Sequence, residues 1–348
     1  MIMSKFETPF MVDFEVTNRC PYRCFFCEGR IPCIQKVDEL PTTTCFHIFE
    51  KLSKAGVLAI FLTGGEPFVR SDILDLIRFC FDVGLEPTVS TNAFCLDETT
   101  INRIPKTGLN HIQVSVHGYK DIHDSIVGVR GAYDIVLKNL KKLVETGIEV
   151  EVACIGLKEN FESIPNLMND LASIGIEKFR ILRYMPSYTK EMLCHIPSRK
   201  VVMDTMPKIT EIAKRNNITL FSSFCPGIVS DPRPIYEGIH PMALTCPAGK
   251  TEFAILPNGD VYPCVNLKDN SSMYIGNILK NEVKEIWNHP TMIKLRELTP
   301  KDYTGICGRC KKKYACYSAR CVAFNLTGDI YGDDLSCYII REKLGFDV

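Results

Sequence analysis

Residues 57–67 read Val57-Leu58-Ala59-Ile60-Phe61-Leu62-Thr63-Gly64-Gly65-Glu66-Pro67, a short branched apolar run that stops on two glycines and a carboxylate. Such a run predicts a buried strand over Val57 to Leu62, and the Gly-Gly pair predicts a tight strand-to-helix turn. The same unit recurs on both sides. Strand-like runs lie at Val12 to Val16, Leu85 to Ser90, His111 to Val116, Ile148 to Ile155 and Lys178 to Leu182. Between them Phe46 to Lys54, Asp72 to Val83, Tyr133 to Glu145 and Ser163 to Ile174 carry apolar residues at helical spacing. Gly56, Gly84, Gly147 and Gly175 fall just before the next strand, where helix C-termini favour glycine. Repeated βα units require a parallel sheet with crossover helices. The expected fold is therefore α/β, a partial (β/α)6 TIM-like barrel.

Beyond Arg183 the rhythm stops. Met185 to Pro197 is irregular, Lys200 to Asn216 reads as a helix, and from Phe221 the chain fills with Pro, Gly and Cys. Leu256-Pro257-Asn258-Gly259-Asp260-Val261 predicts a hairpin whose Asn-Gly pair supplies positive φ values. The expected partition is a barrel over 1–190, a helical or irregular connection over 191–245, and a small C-terminal cysteine-rich domain over 246–348.

Composition narrows the function classes. The 348 residues include 41 basic and 41 acidic side chains and 46% hydrophobic residues, an ordinary globular balance that excludes disordered and supercharged classes. Zero net charge removes the long-range field of a nonspecific nucleic-acid binder. The first seventeen residues mix Lys5, Glu7, Pro9, Asp13 and Glu15 into apolar positions, unlike a signal peptide, and no apolar run reaches the ~18 residues needed to span a bilayer. The expected compartment is the cytoplasm, where the 17 cysteines stay reduced and read as metal ligands or catalysts.

The first of these ligand sets follows the first strand. Thr17-Asn18-Arg19-Cys20-Pro21-Tyr22-Arg23-Cys24-Phe25-Phe26-Cys27 places three thiols in one loop at Cys-x3-Cys-x2-Cys spacing. Three local thiolates suit a cubane cluster with one iron left open to substrate or cofactor. A zinc site or a ferredoxin-like loop with a distant fourth ligand fits the spacing as well. Gly64-Gly65-Glu66-Pro67 lies one βα unit later at a strand's C-terminal edge, where parallel α/β folds keep their sites and where glycines permit close backbone approach to a ligand.

Cys20, Cys24 and Cys27, with Gly64 to Pro67 on a six-fold βα pattern, resemble the radical SAM enzymes over residues 10–185. The resemblance implies a [4Fe-4S] cluster whose open iron chelates S-adenosyl-L-methionine. Reductive cleavage then yields a 5′-deoxyadenosyl radical that abstracts hydrogen from a substrate. It further implies that Gly64, Gly65, Glu66 and Pro67 face the cofactor's amino group, Thr91, Asn92 and Ser115 its ribose or carboxylate, Arg130 its carboxylate, and Phe26 its adenine. His117 stands where many relatives show Asp; as a lone histidine it reads first as a hydrogen-bonded core residue.

A second set of thiols runs Cys246-x12-Gly259-x4-Cys264, then Cys307-x2-Cys310-x5-Cys316-x4-Cys321, then Cys337. Cys307-Gly308-Arg309-Cys310 alone suits a zinc knuckle. The whole resembles the SPASM extension of radical SAM enzymes, which holds up to two auxiliary [4Fe-4S] clusters. The resemblance assigns Cys246, Cys264 and Cys321 to one and Cys307, Cys310, Cys316 and Cys337 to the other. The x4 gap replaces the usual x3, with Ala319 and Arg320 where relatives often place a cysteine. Seven thiolates are one short of eight, leaving an open iron or a role for Cys225. Cys33, Cys45, Cys80, Cys95, Cys154 and Cys194 read as small core residues. Lys311-Lys312-Lys313 reads as a solvated loop or as positive charge beside an anionic cluster.

The expected reaction is radical modification of a peptide or protein side chain by an anaerobic maturase. Remodelling of a tetrapyrrole or other cofactor precursor is the alternative, and a non-catalytic iron–sulfur electron carrier is the alternative from another class. A low-potential donor such as flavodoxin or ferredoxin is the implied partner, with no bulk nucleic acid and no membrane. The first strand begins near residue 10, so no separate peptide-recognition domain is expected before it. Val265 follows Cys264 where sulfatase maturases typically show Asp, so that activity is disfavoured.

Overall fold

The computed structural model describes residues 6–27, 39–187, 189–224, 246–268, 270–316 and 319–345. Its strands are β1 (Met11–Thr17), β2 (Ala59–Gly64), β3 (Glu86–Thr91), β4 (His111–Ser115), β5 (Glu149–Gly156), β6 (Lys178–Arg183), β7 (Thr219–Ser222), β8 (Glu252–Ile255), β9 (Asp260–Tyr262) and β10 (Gly276–Asn277). They form one sheet in the order β10-β9-β8-β1-β2-β3-β4-β5-β6-β7. From β8 through β7 every pairing is parallel. The crossovers are α1 (Thr42–Lys54), α2 (Ile73–Asp82), α3 (Glu98–Arg103), α4 (Asp121–Val127), α5 (Ala132–Glu145), α6 (Ile164–Ser173) and α7 (Arg199–Arg215). No described helix is long and apolar enough to cross a membrane.

Strand alternation sorts β1 cleanly. Val12, Phe14 and Val16 are buried, and Phe14 meets Phe49 of α1 edge-on at 5.8 Å, so this face packs on the helices. Asp13 and Glu15 therefore face the barrel interior. That interior is polar and internally paired: Gln113 Nε2 donates to Glu151 Oε1 at 2.8 Å, and Arg180 grips Glu151 with two bonds of 2.7 and 2.9 Å. Glu15 pairs with Lys268 at 2.6 Å.

All six expected strands form, within one or two residues of their predicted ends. The sheet then exceeds the six-fold pattern at both edges. Within 191–245, α7 and β7 add a seventh parallel unit, with Lys178 opposite Thr219 and Ile181 opposite Ser222. At the other edge β8 lies parallel to β1, Met11 opposite Glu252 and Phe14 opposite Ile255, so the cysteine-rich segment continues the barrel sheet. Both otherwise bare edges of the six-stranded core are thus paired. The hairpin at 256–261 forms, but only its glycine is left-handed, with Gly259 at φ +85°. Asn258 instead accepts from Asp260 N through its side chain at 3.0 Å, and Gly259 N closes the turn on Leu256 O at 2.8 Å.

Candidate iron–sulfur and cofactor site

The cysteine loop leaves β1 at Thr17 and is fastened from two sides. Gly65 N donates to Thr17 O at 2.7 Å and Glu66 N to Arg19 O at 2.8 Å. On the far side Arg23 N donates to Val127 O at 2.8 Å, tying the loop to the end of α4. A methyl group on Gly65 would stand 2.2 Å from Arg19 O, and one on Gly64, at φ +134°, 2.3 Å from Thr17 O. The two glycines are thus required because the Gly-Gly-Glu-Pro turn touches the cysteine loop itself, a nearer partner than the ligand suggested by sequence.

Glu66 is fully buried, and its carboxylate organises the next strand end. It accepts from Thr91 Oγ1 at 2.7 Å, Asn92 N at 2.6 Å and Phe68 N at 3.0 Å. Burial raises its pKa, opposed by these three donors. The Asn92 side chain so positioned lies with Nδ2 at 3.5 Å from Cys20 Sγ. Cys20, Gly64, Gly65, Glu66, Pro67, Thr91 and Asn92 therefore share one neighbourhood at the C-terminal ends of β1, β2 and β3. Ser115, partly exposed, ends β4, and the exposed Arg130 sits in the turn between α4 and α5.

Phe26 meets His117 edge-on at 4.9 Å and Tyr184 at 6.3 Å, an aromatic floor beside Cys27. His117 behaves as the core residue expected of a lone histidine. Its Nδ1 accepts from Ile155 N at 3.3 Å, Asn160 Nδ2 donates to its carbonyl at 3.0 Å, and burial then His123 push its pKa down to about 3. Sequence reasoning missed Arg70, which donates to Val16 O at 2.9 Å and Leu40 O at 3.1 Å and pairs with Asp72 at 2.6 Å. It clamps the end of β1 just ahead of the cysteine loop. Its place three residues after Pro67 was the available signal.

The C-terminal thiols form two groups. Cys307, Cys310, Cys316 and Cys337 line one apolar cavity together with Tyr303, Ile306, Asp334, Ile339 and Ile340. Cys246, Cys264 and Cys321 lie within electrostatic reach of one another. Asn266 Nδ2 approaches Cys321 Sγ at 3.8 Å. The longer x4 gap thus still delivers Cys321 to the first group. Cys225 and Cys33 lie outside the described residues. Cys45, Cys80 and Cys154 are core residues, whereas Cys95 and Cys194 are exposed, contrary to the sequence expectation. Lys311 and Lys312 are exposed.

Among the described residues no three His, Cys, Asp or Glu side chains converge on a single-ion position. The fit to clusters rests on donor chemistry: all-sulfur sets, soft ligands that suit iron–sulfur centres. Burial pushes the thiols of Cys246 and Cys337 up to about 12, so a bound cationic centre is what would keep them as thiolates.

A parallel βα barrel with thiols at its strand ends and a second thiol-lined region defines an iron–sulfur enzyme. The Radical SAM superfamily model matches residues 14–171, and the SPASM iron-sulfur cluster-binding domain model matches residues 246–311. The chain belongs to the radical SAM enzymes with a C-terminal SPASM domain, whose cofactors are [4Fe-4S] clusters and S-adenosyl-L-methionine. It is 25% identical to the AdoMet-dependent heme synthase of Methanosarcina barkeri over 349 residues, 95% of this chain and 97% of that protein. It is 24% identical to the PqqA peptide cyclase of Rhizobium meliloti over 345 residues, covering 96% and 88%. Among solved structures, Streptococcus suis SuiB bound to S-adenosylmethionine aligns at TM-score 0.75 and 19% identity, covering 95% of this chain and 77% of that one. Native anSMEcpe with bound AdoMet aligns at 0.72 and 14%, covering 96% and 95%.

Proposed function

We propose that the chain modifies a peptide or protein side chain by radical chemistry, with Cys20, Cys24 and Cys27 holding the cofactor-binding cluster. The observation that carries the site is the path Glu66–Asn92–Cys20, which locks the Gly-Gly-Glu-Pro turn, the end of β3 and the first cysteine into one unit. In this reading Gly64, Gly65, Glu66, Pro67, Thr91, Asn92, Ser115 and Arg130 bind S-adenosylmethionine and Phe26 packs on its adenine. Cys246, Cys264 and Cys321 hold one auxiliary cluster, and Cys307, Cys310, Cys316 and Cys337 the other.

When bound, cluster and S-adenosylmethionine supply a carbon radical able to take a hydrogen atom from substrate. The chain's own part is to orient and exclude water. Glu66 fixes the Asn92 backbone, Arg70 fixes the loop's root, and Phe25, Phe26, His117 and Tyr184 form an aromatic wall on which water finds few partners. A low-potential donor such as flavodoxin or ferredoxin delivers the electron.

The peptide reading is supported by the PqqA peptide cyclase relatives. The M. barkeri heme synthase, 25% identical over 95% of this chain, supports a second reading, a tetrapyrrole substrate. The test is 5′-deoxyadenosine release by anaerobically reconstituted enzyme with reductant. Stimulation by a peptide substrate supports the first reading, and stimulation by an iron porphyrin alone replaces it with the second. About twelve irons per chain are expected, three clusters of about four each. About four would remove the auxiliary clusters from the proposal.

A further inference from the structure

Between the two C-terminal thiol groups lies one buried cation. Arg320 is 1% exposed, immediately precedes Cys321 of the first group, and directs Nη2 to Cys307 Sγ of the second at 3.8 Å. Its orientation is fixed. Nη1 donates to Gly332 O at 2.8 Å and Ile330 O at 3.2 Å, and the guanidinium lies over the Tyr303 ring at 4.2 Å. Tyr303 lines the four-cysteine cavity and is within electrostatic reach of Cys246 on one side and of Cys307 and Cys316 on the other.

The placement follows from adjacent positions at the start of a helix. Helix Arg320–Thr327 begins at Arg320, so its first side chain turns to the second thiol group while the next, Cys321, serves the first. We propose that Arg320, stacked on Tyr303, is a positioning residue that sets the reduction potential of the auxiliary cluster held by Cys307, Cys310, Cys316 and Cys337. This rests on the two-cluster reading above. A buried positive charge that also hydrogen-bonds a ligating sulfur favours the more negative, reduced cluster and so raises its potential. Lysine would keep the charge but not the planar fork that holds two carbonyls, a sulfur and a ring at once.

The test is a redox titration of holoenzyme followed by electron paramagnetic resonance, reading the auxiliary signals that do not respond to S-adenosylmethionine. With iron content near that of the parent, Arg320→Gln is expected to shift one such signal to a more negative potential. Arg320→Lys is expected to recover part of the shift. Equal shifts in both variants, or none, would overturn the inference while leaving the clusters in place. Loss of about four irons in both variants would also overturn it, making Arg320 a purely structural support. A parent protein with about four irons would overturn the two-cluster reading together with it.

Discussion

Arg183 Nη2 and Asp334 Oδ2 stand 3.1 Å apart, both side chains almost wholly buried, and join the C-terminal end of β6 to the wall of the four-cysteine cavity. Asp334 also accepts from Ala319 N at 3.1 Å and Ser336 N at 3.0 Å, so one carboxylate pins the barrel and both flanks of the cavity.

Removing one partner of such a pair strands the other charge, at a cost of about 3–5 kcal/mol. Asp334→Ala is therefore expected to lower the urea midpoint strongly and to lose about four irons per chain. The pH dependence has a definite sign. Burial alone would raise Asp334, but Arg183, Ser336 and Arg320 outweigh it and hold the carboxyl below the ordinary 3.8. This contribution is complete above pH 3.8 and is lost as pH falls toward the depressed value.

Gly65→Ala is expected to dislodge the cysteine loop, because its methyl group would meet the backbone oxygen of Arg19 at 2.2 Å. Overpacking of this kind costs roughly 1–3 kcal/mol. The iron of the first cluster should fall while the auxiliary iron remains. Gly84→Ala is the comparison: its φ of +81° strains a side chain by about 1 kcal/mol, yet nothing lies within 4 Å. It should lower stability slightly and leave the iron unchanged.

Glu66→Gln replaces a carboxylate oxygen with a donor where three donors already point. Losing a hydrogen bond to a charged group costs roughly 1.5–3 kcal/mol. Cofactor binding, read as the resonance shift on adding S-adenosylmethionine, should weaken by at least tenfold with the cluster still present. Unchanged binding would remove Glu66 from the site.

Asp13 runs the other way. Burial and then Glu15 push its pKa up to about 7, so the folded chain holds this proton more tightly than the unfolded chain. Stability falls as pH rises from 3.8 to about 7. Asp13→Asn is expected to be more stable than the parent at pH 8, by on the order of a few kcal/mol, and to lose that advantage near pH 3.5. Urea melts at the two pH values check it.

What sequence shows depends on how locally it is encoded. β1 to β6 were legible because each is a short branched run, and β1, β2, β4 and β5 are followed by an amphipathic helix and a glycine. α3 and α4 were not, being six and seven residues long, too short for a helical period to stand out. β7 was not, because Thr219–Ser222 becomes a strand through its pairing with β6. The cysteine spacings announced their groups, since thiols cluster in one loop or at fixed intervals. Arg183 with Asp334, and Arg320 with Cys307, left no such trace. They are single residues whose partners are set by tertiary packing.

The parallel pairing of β8 with β1 also dictates an order of events during synthesis. Until residue 255 has left the ribosome, β1 has a neighbour on one side only, and its other edge offers unmet amide and carbonyl groups. The nascent barrel is thus an incomplete, adhesive sheet for much of translation, with the first cysteine loop rooted in its least protected strand.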